Sequence, residues 1–154
     1  MRQKNIEKNL ELVISDDLMQ NLVDTGLDHL PNEFGGYLIG KYSEDQQTAI
    51  ITGYILPKEF KATKVLFEPS VKGVEKEFVR LYEDKQEYYI GEWHTHPYGS
   101  SRFSNTDLLA MERVVQTDSV CITNPLLLIL SLNDHGLKEF TFYCYDNKRL
   151  IAYE

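Results

Sequence analysis

Apolar and polar positions alternate along this chain in short blocks, and each block predicts one element. Leu10–Ile14 alternates with the period of a strand. Ser15 and Asp16 then offer capping oxygens to a helix that carries Leu18, Leu22 and Val23 on one face and closes before Pro31. Gly35-Gly36 opens a second apolar run, Tyr37-Leu38-Ile39. After a turn rich in Ser, Glu and Asp, residues 48–56 read as the returning strand of an antiparallel pair. Residues 57–69 have mixed character and read as a loop. Val71, Val74, Phe78 and Leu81 or Tyr82 recur at helical spacing. Residues 88–95 return to strand character, and Leu108, Met111 and Val115 mark a further helix. Two late strands, around 126–132 and 139–145, flank the turn Asn133-Asp134-His135-Gly136. The order predicts an α+β fold: a mixed, largely antiparallel sheet flanked by about three helices.

Composition narrows this picture. A length of 154 residues fits one domain, 1–154, and neither a repeat nor a linker divides it. The apolar fraction of 42% and aromatic fraction of 12% suffice for a core, which excludes a disordered chain. A net charge of -8, with no Lys/Arg run, argues against a nucleic-acid partner and would steer a basic protein towards the surface. The longest strongly apolar run, residues 126–130, is far too short to span a bilayer, so no membrane partner is expected. The first residues lack the apolar stretch of a secretory signal. Cys121 and Cys144 form no CxxC pair and sit among apolar neighbours, which reads as two buried, inert thiols in a reducing cytoplasm.

The chemistry concentrates between residues 94 and 107. His94 and His96 are one residue apart at the end of a predicted strand, so both imidazoles project to the same face. Asp107 follows at the start of a predicted helix, after a loop containing Pro97, Gly99, Ser100 and Ser101 that suits a tight return. Two His and one Asp supply three ligands, the number a catalytic zinc uses while its fourth position stays open to water. Zinc lowers the pKa of such a water to roughly 7. A carboxylate outside the ligand set must then move protons. Glu33, just before Gly35-Gly36, is the first candidate. Glu92 is its competitor, because on a strand it shares the face of His94. The Ser104 hydroxyl, between the histidines and Asp107, is placed to stabilise an oxyanion.

Glu33 with Gly35-Gly36-Tyr37-Leu38-Ile39-Gly40, followed by His94-Thr95-His96-Pro97 and then Ser104 and Asp107, resembles the JAMM (MPN+, JAB-domain) metalloprotease family. The resemblance runs from about residue 12 to about residue 145. It implies a cytidine-deaminase-like MPN fold and one zinc per chain held by His94, His96 and Asp107. It implies Glu33 as general base and acid, and Ser104 as the group assisting the oxyanion. It further implies a partner with an extended C-terminal tail: a ubiquitin-like or other conjugated protein whose terminal peptide or isopeptide bond is cut. The run Gly91-Glu92-Trp93-His94-Thr95-His96-Pro97 is most similar to the JAB peptidases of bacterial antiphage operons, which remove a conjugated nucleotidyltransferase or ubiquitin-like protein. Small members that process sulfur-carrier or ubiquitin-like precursors are the alternative.

Each of these residues also has a plainer reading. Ser104-Asn105-Thr106-Asp107 fits a capping box, which alone would account for Ser104 and Asp107. The paired histidines have no structural explanation of similar economy. His29 and His135 read as surface or helix-end residues, and Trp93 as core. Tyr98, Arg102 and Phe103 either line a groove for a peptide tail or, for Phe103, tuck under the loop. A non-enzymatic scaffold and a hydrolase of small amides are the two competing functional classes; the intact ligand set speaks against the first.

Overall fold

The computed structural model describes residues 1–122 and 124–154, and its elements follow the hydrophobic pattern closely. In chain order they are β1 (Arg2–Asn5), β2 (Leu10–Ile14), α1 (Asp16–Leu27), β3 (Gly35–Tyr42), β4 (Thr48–Ile55), β5 (Glu59–Thr63), β6 (Leu66–Ser70), α2 (Glu75–Lys85), β7 (Tyr88–Pro97), α3 (Asn105–Val115), β8 (Leu126–Asn133), β9 (Gly136–Asp146) and β10 (Arg149–Ala152). One sheet runs in the order β1-β2-β4-β3-β7-β8-β9-β10, while β5 and β6 form a hairpin of their own. The pairs β2/β4 and β7/β8 are parallel and the others antiparallel, so the sheet is mixed and the fold α+β as expected.

Alternation along the strands divides the side chains between two faces. Leu38, Trp93, Leu128, Leu130 and Phe142 turn to one face and pack with Met19, Leu22 and Val23 of α1. On the other face Leu127, Ile129 and Tyr143 meet Met111 of α3, while Tyr37, Ile39 and Tyr89 meet Phe78 and Leu81 near α2. Strand β8 is therefore covered on both sides, as a central strand with a parallel neighbour requires. Helix α1 starts where Ser15 accepts a hydrogen bond from the Leu18 N–H at 3.2 Å, the predicted cap. Among the described residues no helix is long and apolar enough to cross a membrane, which says nothing of a β-barrel.

Three expectations are corrected. Residues 57–69 are not a loop: β5 and β6 pair there, and Phe60 and Phe67 pack against Phe34. The mixed pattern and Pro69 concealed them, because a two-stranded ribbon exposed on most of its surface needs no alternating apolar face and tolerates an edge proline. Cys144 is buried, but Cys121 is exposed, since the segment after α3 leaves its outer side to solvent. The predicted helix also begins later than Val71, at Glu75.

Candidate metal centre

Strand β7 delivers the histidines because its alternation is interrupted once, upstream of them. The pairing with β3 shifts between Leu38/Gly91 and Ile39/Tyr89, which leaves Ile90 as the extra residue of a bulge. Ile90 turns to the α1 face with Trp93, and Tyr89 is brought to the face of the sheet that packs near α2. Glu92, His94 and His96 follow on that same face and line one cavity. Behind them the fully buried Thr95 faces α1, where a Cβ on Gly26 would lie 2.6 Å from its methyl group.

The loop from Pro97 to Ser104 returns the chain to the histidines and is fastened at several points. The Ser131 hydroxyl donates to the Gly99 carbonyl at 2.6 Å, the Ser101 N–H donates to Glu139 at 2.7 Å, and the Tyr143 hydroxyl donates to the Ser101 carbonyl at 2.9 Å. Helix α3 then begins with the capping box anticipated from sequence. The Asp107 N–H donates to Ser104 Oγ at 3.1 Å, and the Ser104 N–H donates to Asp107 Oδ2 at 2.6 Å. This box fixes the rotamer of Asp107 and leaves the Ser104 hydroxyl proton free to donate.

Three ligand groups converge as a result, with one atom of each within 4.8 Å of the others. His94 Nε2 and His96 Nε2 are 3.1 Å apart; Asp107 Oδ1 is 3.1 Å from the first, and Asp107 Oδ2 is 3.3 Å from the second. A tetrahedral zinc with bonds of ~2.0–2.1 Å spreads its ligand atoms about 3.3 Å apart, so the trio fits the ion. His96 Nδ1 lies 2.9 Å from the Ser100 carbonyl, a contact that holds the proton on Nδ1 and turns the Nε2 lone pair towards the site. Burial works to raise the Asp107 pKa, but hydrogen bonds from His94 and His96 outweigh it and hold the carboxyl well below the ordinary carboxylate range. Burial depresses the His96 pKa; the bond to Asp107 and the Ser100 carbonyl more than restore it, so the net direction is upward.

Glu33 opens into the same cavity as His94, His96, Ser104 and Asp107. Its position is set by close backbone contact between β3 and β7. Gly35 pairs with His94, and a Cβ there would lie 2.0 Å from the Trp93 carbonyl and 2.8 Å from His94 Cα. Thr95 adds a clasp: its hydroxyl accepts from the Phe34 N–H at 3.0 Å, and its own N–H donates to the Phe34 carbonyl at 2.8 Å. The residue between the two histidines thus holds the neighbour of Glu33. Burial lifts the Glu33 carboxyl above its usual value; the His94 and His96 imidazoles oppose this and the Asp107 carboxylate reinforces it. Glu92 is also half-buried on the cavity, with its carboxyl pushed up to about 7 by burial.

The structure therefore brings Glu33, His94, His96, Ser104 and Asp107 together, and it keeps the loop aromatics apart from them. The Tyr98 hydroxyl donates to Asp134 at 2.6 Å, and Phe103 packs edge-on against Tyr143 but stays exposed. The cavity wall opposite the ligands is built instead by Lys64 to Pro69 of the β5–β6 hairpin, which sequence reading missed. His29 ends its helix as expected, stacked on Phe34 with ring centroids 3.5 Å apart, and His135 is exposed. Thr95 was also missed, although a hydroxyl-bearing residue on the opposite face of a His-x-His strand was a legible signal.

Comparison with known proteins bears on the family and the fold. The family model for prokaryotic homologs of the JAB domain matches residues 15–143. The chain is 33% identical over 126 residues to a CD-NTase/cGAS isopeptidase of Enterobacter hormaechei subsp. hoffmannii (strain UCI 50), covering 81% of this chain and 69% of that protein. Solved structures of proteins from Desulfitobacterium hafniense (TM-score 0.68, 17% identical, 92% of this chain and 88% of that one) and Salinibacter ruber (TM-score 0.57, 15% identical, 91% and 85%) share the fold. With a family model matched over residues 15–143, a span that includes Glu33, His94, His96, Ser104 and Asp107, this chain belongs to the prokaryotic JAB-domain family.

Proposed function

We propose that the chain is a zinc-dependent isopeptidase that hydrolyses the amide bond following the C-terminus of a conjugated protein, acting as a deconjugase in antiphage defence. The observation that carries this reading is the convergence of two imidazoles and the Asp107 carboxylate, with one ligand atom of each within 4.8 Å of the others, in a cavity that also holds the half-buried Glu33. His94, His96 and Asp107 would hold the ion. When bound, zinc supplies Lewis-acid activation of a water and of the scissile carbonyl at neutral pH. Glu33 takes the proton that the attacking water loses and returns it to the leaving amine nitrogen; its raised pKa suits a group that must do both. The Ser104 hydroxyl donates to the oxygen on which negative charge develops, while its lone pair keeps the N–H of Asp107. The His96–Ser100 and Ser104–Asp107 bonds pre-arrange the site.

The name of the Enterobacter relative, CD-NTase/cGAS isopeptidase, supports a CD-NTase-type nucleotidyltransferase as the conjugated protein. The test is a CD-NTase carrying a C-terminal isopeptide-linked or fused extension, incubated with the zinc-loaded protein and followed by intact mass. Release of the nucleotidyltransferase with its native C-terminus by the wild type, and none by Glu33→Ala or Asp107→Ala, is expected. Equal cleavage by both folded variants would sink the proposal.

A further inference from the structure

Beside the metal cavity, a second cavity opens on the face of the sheet that carries the histidines, and the mechanism does not use it. The second, with a volume of about 1040 Å³, lies between α2, β7 and the segment that follows α3. It joins the first at Tyr37 and Glu92, which line both. Its walls carry the rings of Tyr37, Phe78, Tyr82, Tyr88 and Tyr89, and Glu92 stands where it meets the metal centre. Three carboxylates, Glu75, Glu83 and Glu92, line it, and among the described residues no Lys, Arg or His does. Nor does any described cation form an ion pair with Glu92. The buried Tyr89 hydroxyl stands close enough to Glu92 to act on its carboxyl. With no ion-pair partner among the described residues, Glu92 is open to a cation brought by a ligand. Aromatic faces attract a cation and cover an aliphatic stem.

We propose that this second cavity is a subsite for a lysine or arginine side chain of the protein substrate, its stem against the aromatic wall and its cationic head on Glu92. The inference rests on reading the chain as an amide hydrolase, because it places the basic residue beside the scissile bond. Glu92 precedes His94 by two strand residues, a distance of about 7 Å, so the side chain it receives lies within a residue or two of the cleaved amide. The net charge of -8 steers such a substrate towards the cavity.

The test uses the zinc-loaded, isotope-labelled full chain and three probes: the Nα-acetyl N-methylamides of lysine, of arginine and of norleucine. The lysine and arginine probes are expected to shift the backbone amides of Tyr37, Tyr89 and Glu92 saturably, with a Kd at least tenfold tighter than norleucine, which has the stem without the charge. Glu92→Gln should abolish that difference. Tyr82→Ser, on a ring that is 61% exposed and so cheap to lose, should weaken both cationic probes and keeps the test alive if Glu92→Gln fails to fold. Equal binding of lysine and norleucine, shifts confined to other elements, or unchanged lysine binding in folded Glu92→Gln would overturn the proposal. Binding is read without turnover, so its failure leaves amide hydrolysis standing. Loss of hydrolysis with intact probe binding would count only against the proposed reaction.

Discussion

Replacing Thr95 by Val tests whether the residue between the histidines positions Glu33. Valine keeps the shape and the methyl that meets Gly26, but removes the hydroxyl that accepts the Phe34 N–H at 3.0 Å. Thr95 and Phe34 are both buried, so water cannot replace the lost acceptor. Leaving a buried N–H unsatisfied costs about 1–3 kcal/mol. In a chain of this length each kcal/mol lowers Tm by about 2–4 °C, so a fall of roughly 4–8 °C follows from a mid-range 2 kcal/mol. Activity should fall further than stability, because the freed segment carries Glu33 while His94, His96 and Asp107 keep their own anchors. The expected pattern is about a tenfold or greater loss of kcat with KM and zinc content little changed. Differential scanning calorimetry, metal analysis and a conjugate-cleavage assay on wild type, Thr95→Val and Thr95→Ser read the three quantities. Serine should restore most of kcat. A Thr95→Val protein with wild-type kcat, or a serine variant no better than valine, would refute the clasp.

Three further outcomes follow from the same contacts. Gly35→Ala should destabilise the fold by about 1–3 kcal/mol or more and weaken zinc binding, because the new methyl would collide with the Trp93 carbonyl and with His94; thermal melts and a zinc titration check both. Ser104→Ala should cost about 0.5–2 kcal/mol as a lost N-cap, and kcat should drop well beyond what that loss explains if the hydroxyl also serves the oxyanion; a melt beside a kcat measurement separates the roles. In the metal-free protein the raised His96 pKa contributes stability that is fully present below the unfolded value of about 6.5 and is lost as pH rises through the folded value. Zinc binding needs the neutral imidazole, so its affinity should move the opposite way and strengthen from pH 6 to pH 8 in calorimetric titrations; affinity constant or falling over that range would contradict the ligand assignment.

What the sequence made legible depended on whether a residue's role is local. His94 and His96 share a face by strand period alone, and Ser104 with Asp107 announces a helix start by spacing alone. The ambiguity of that second pair, cap or ligand, dissolves in space: Asp107 caps through Oδ2 and its backbone N–H while both of its oxygens face the imidazoles. Roles that depend on pairing were not legible. The Thr95 clasp exists only because β3 lies against β7, and the four-residue strands β1 and β10 form only against their neighbours in the sheet, with Lys4 of β1 exchanging backbone hydrogen bonds with Glu154 beyond β10. The β5–β6 hairpin, which walls the metal cavity, lacks an apolar stripe because it pairs with itself outside the main sheet. Glu92 was visible only as a rival to Glu33; the second cavity gives it a separate place.

The measurement that bears most directly on the central claim is a zinc titration of turnover. Protein stripped by a chelator is incubated with an isopeptide-linked conjugate, and release is followed by mass as zinc is returned. Turnover should be absent in the stripped protein, rise to its maximum at one zinc per chain, and stay absent in Glu33→Gln at the same zinc occupancy. Undiminished turnover without zinc, or equal turnover by zinc-loaded Glu33→Gln, would contradict a metal-centred hydrolase built on His94, His96, Asp107 and Glu33.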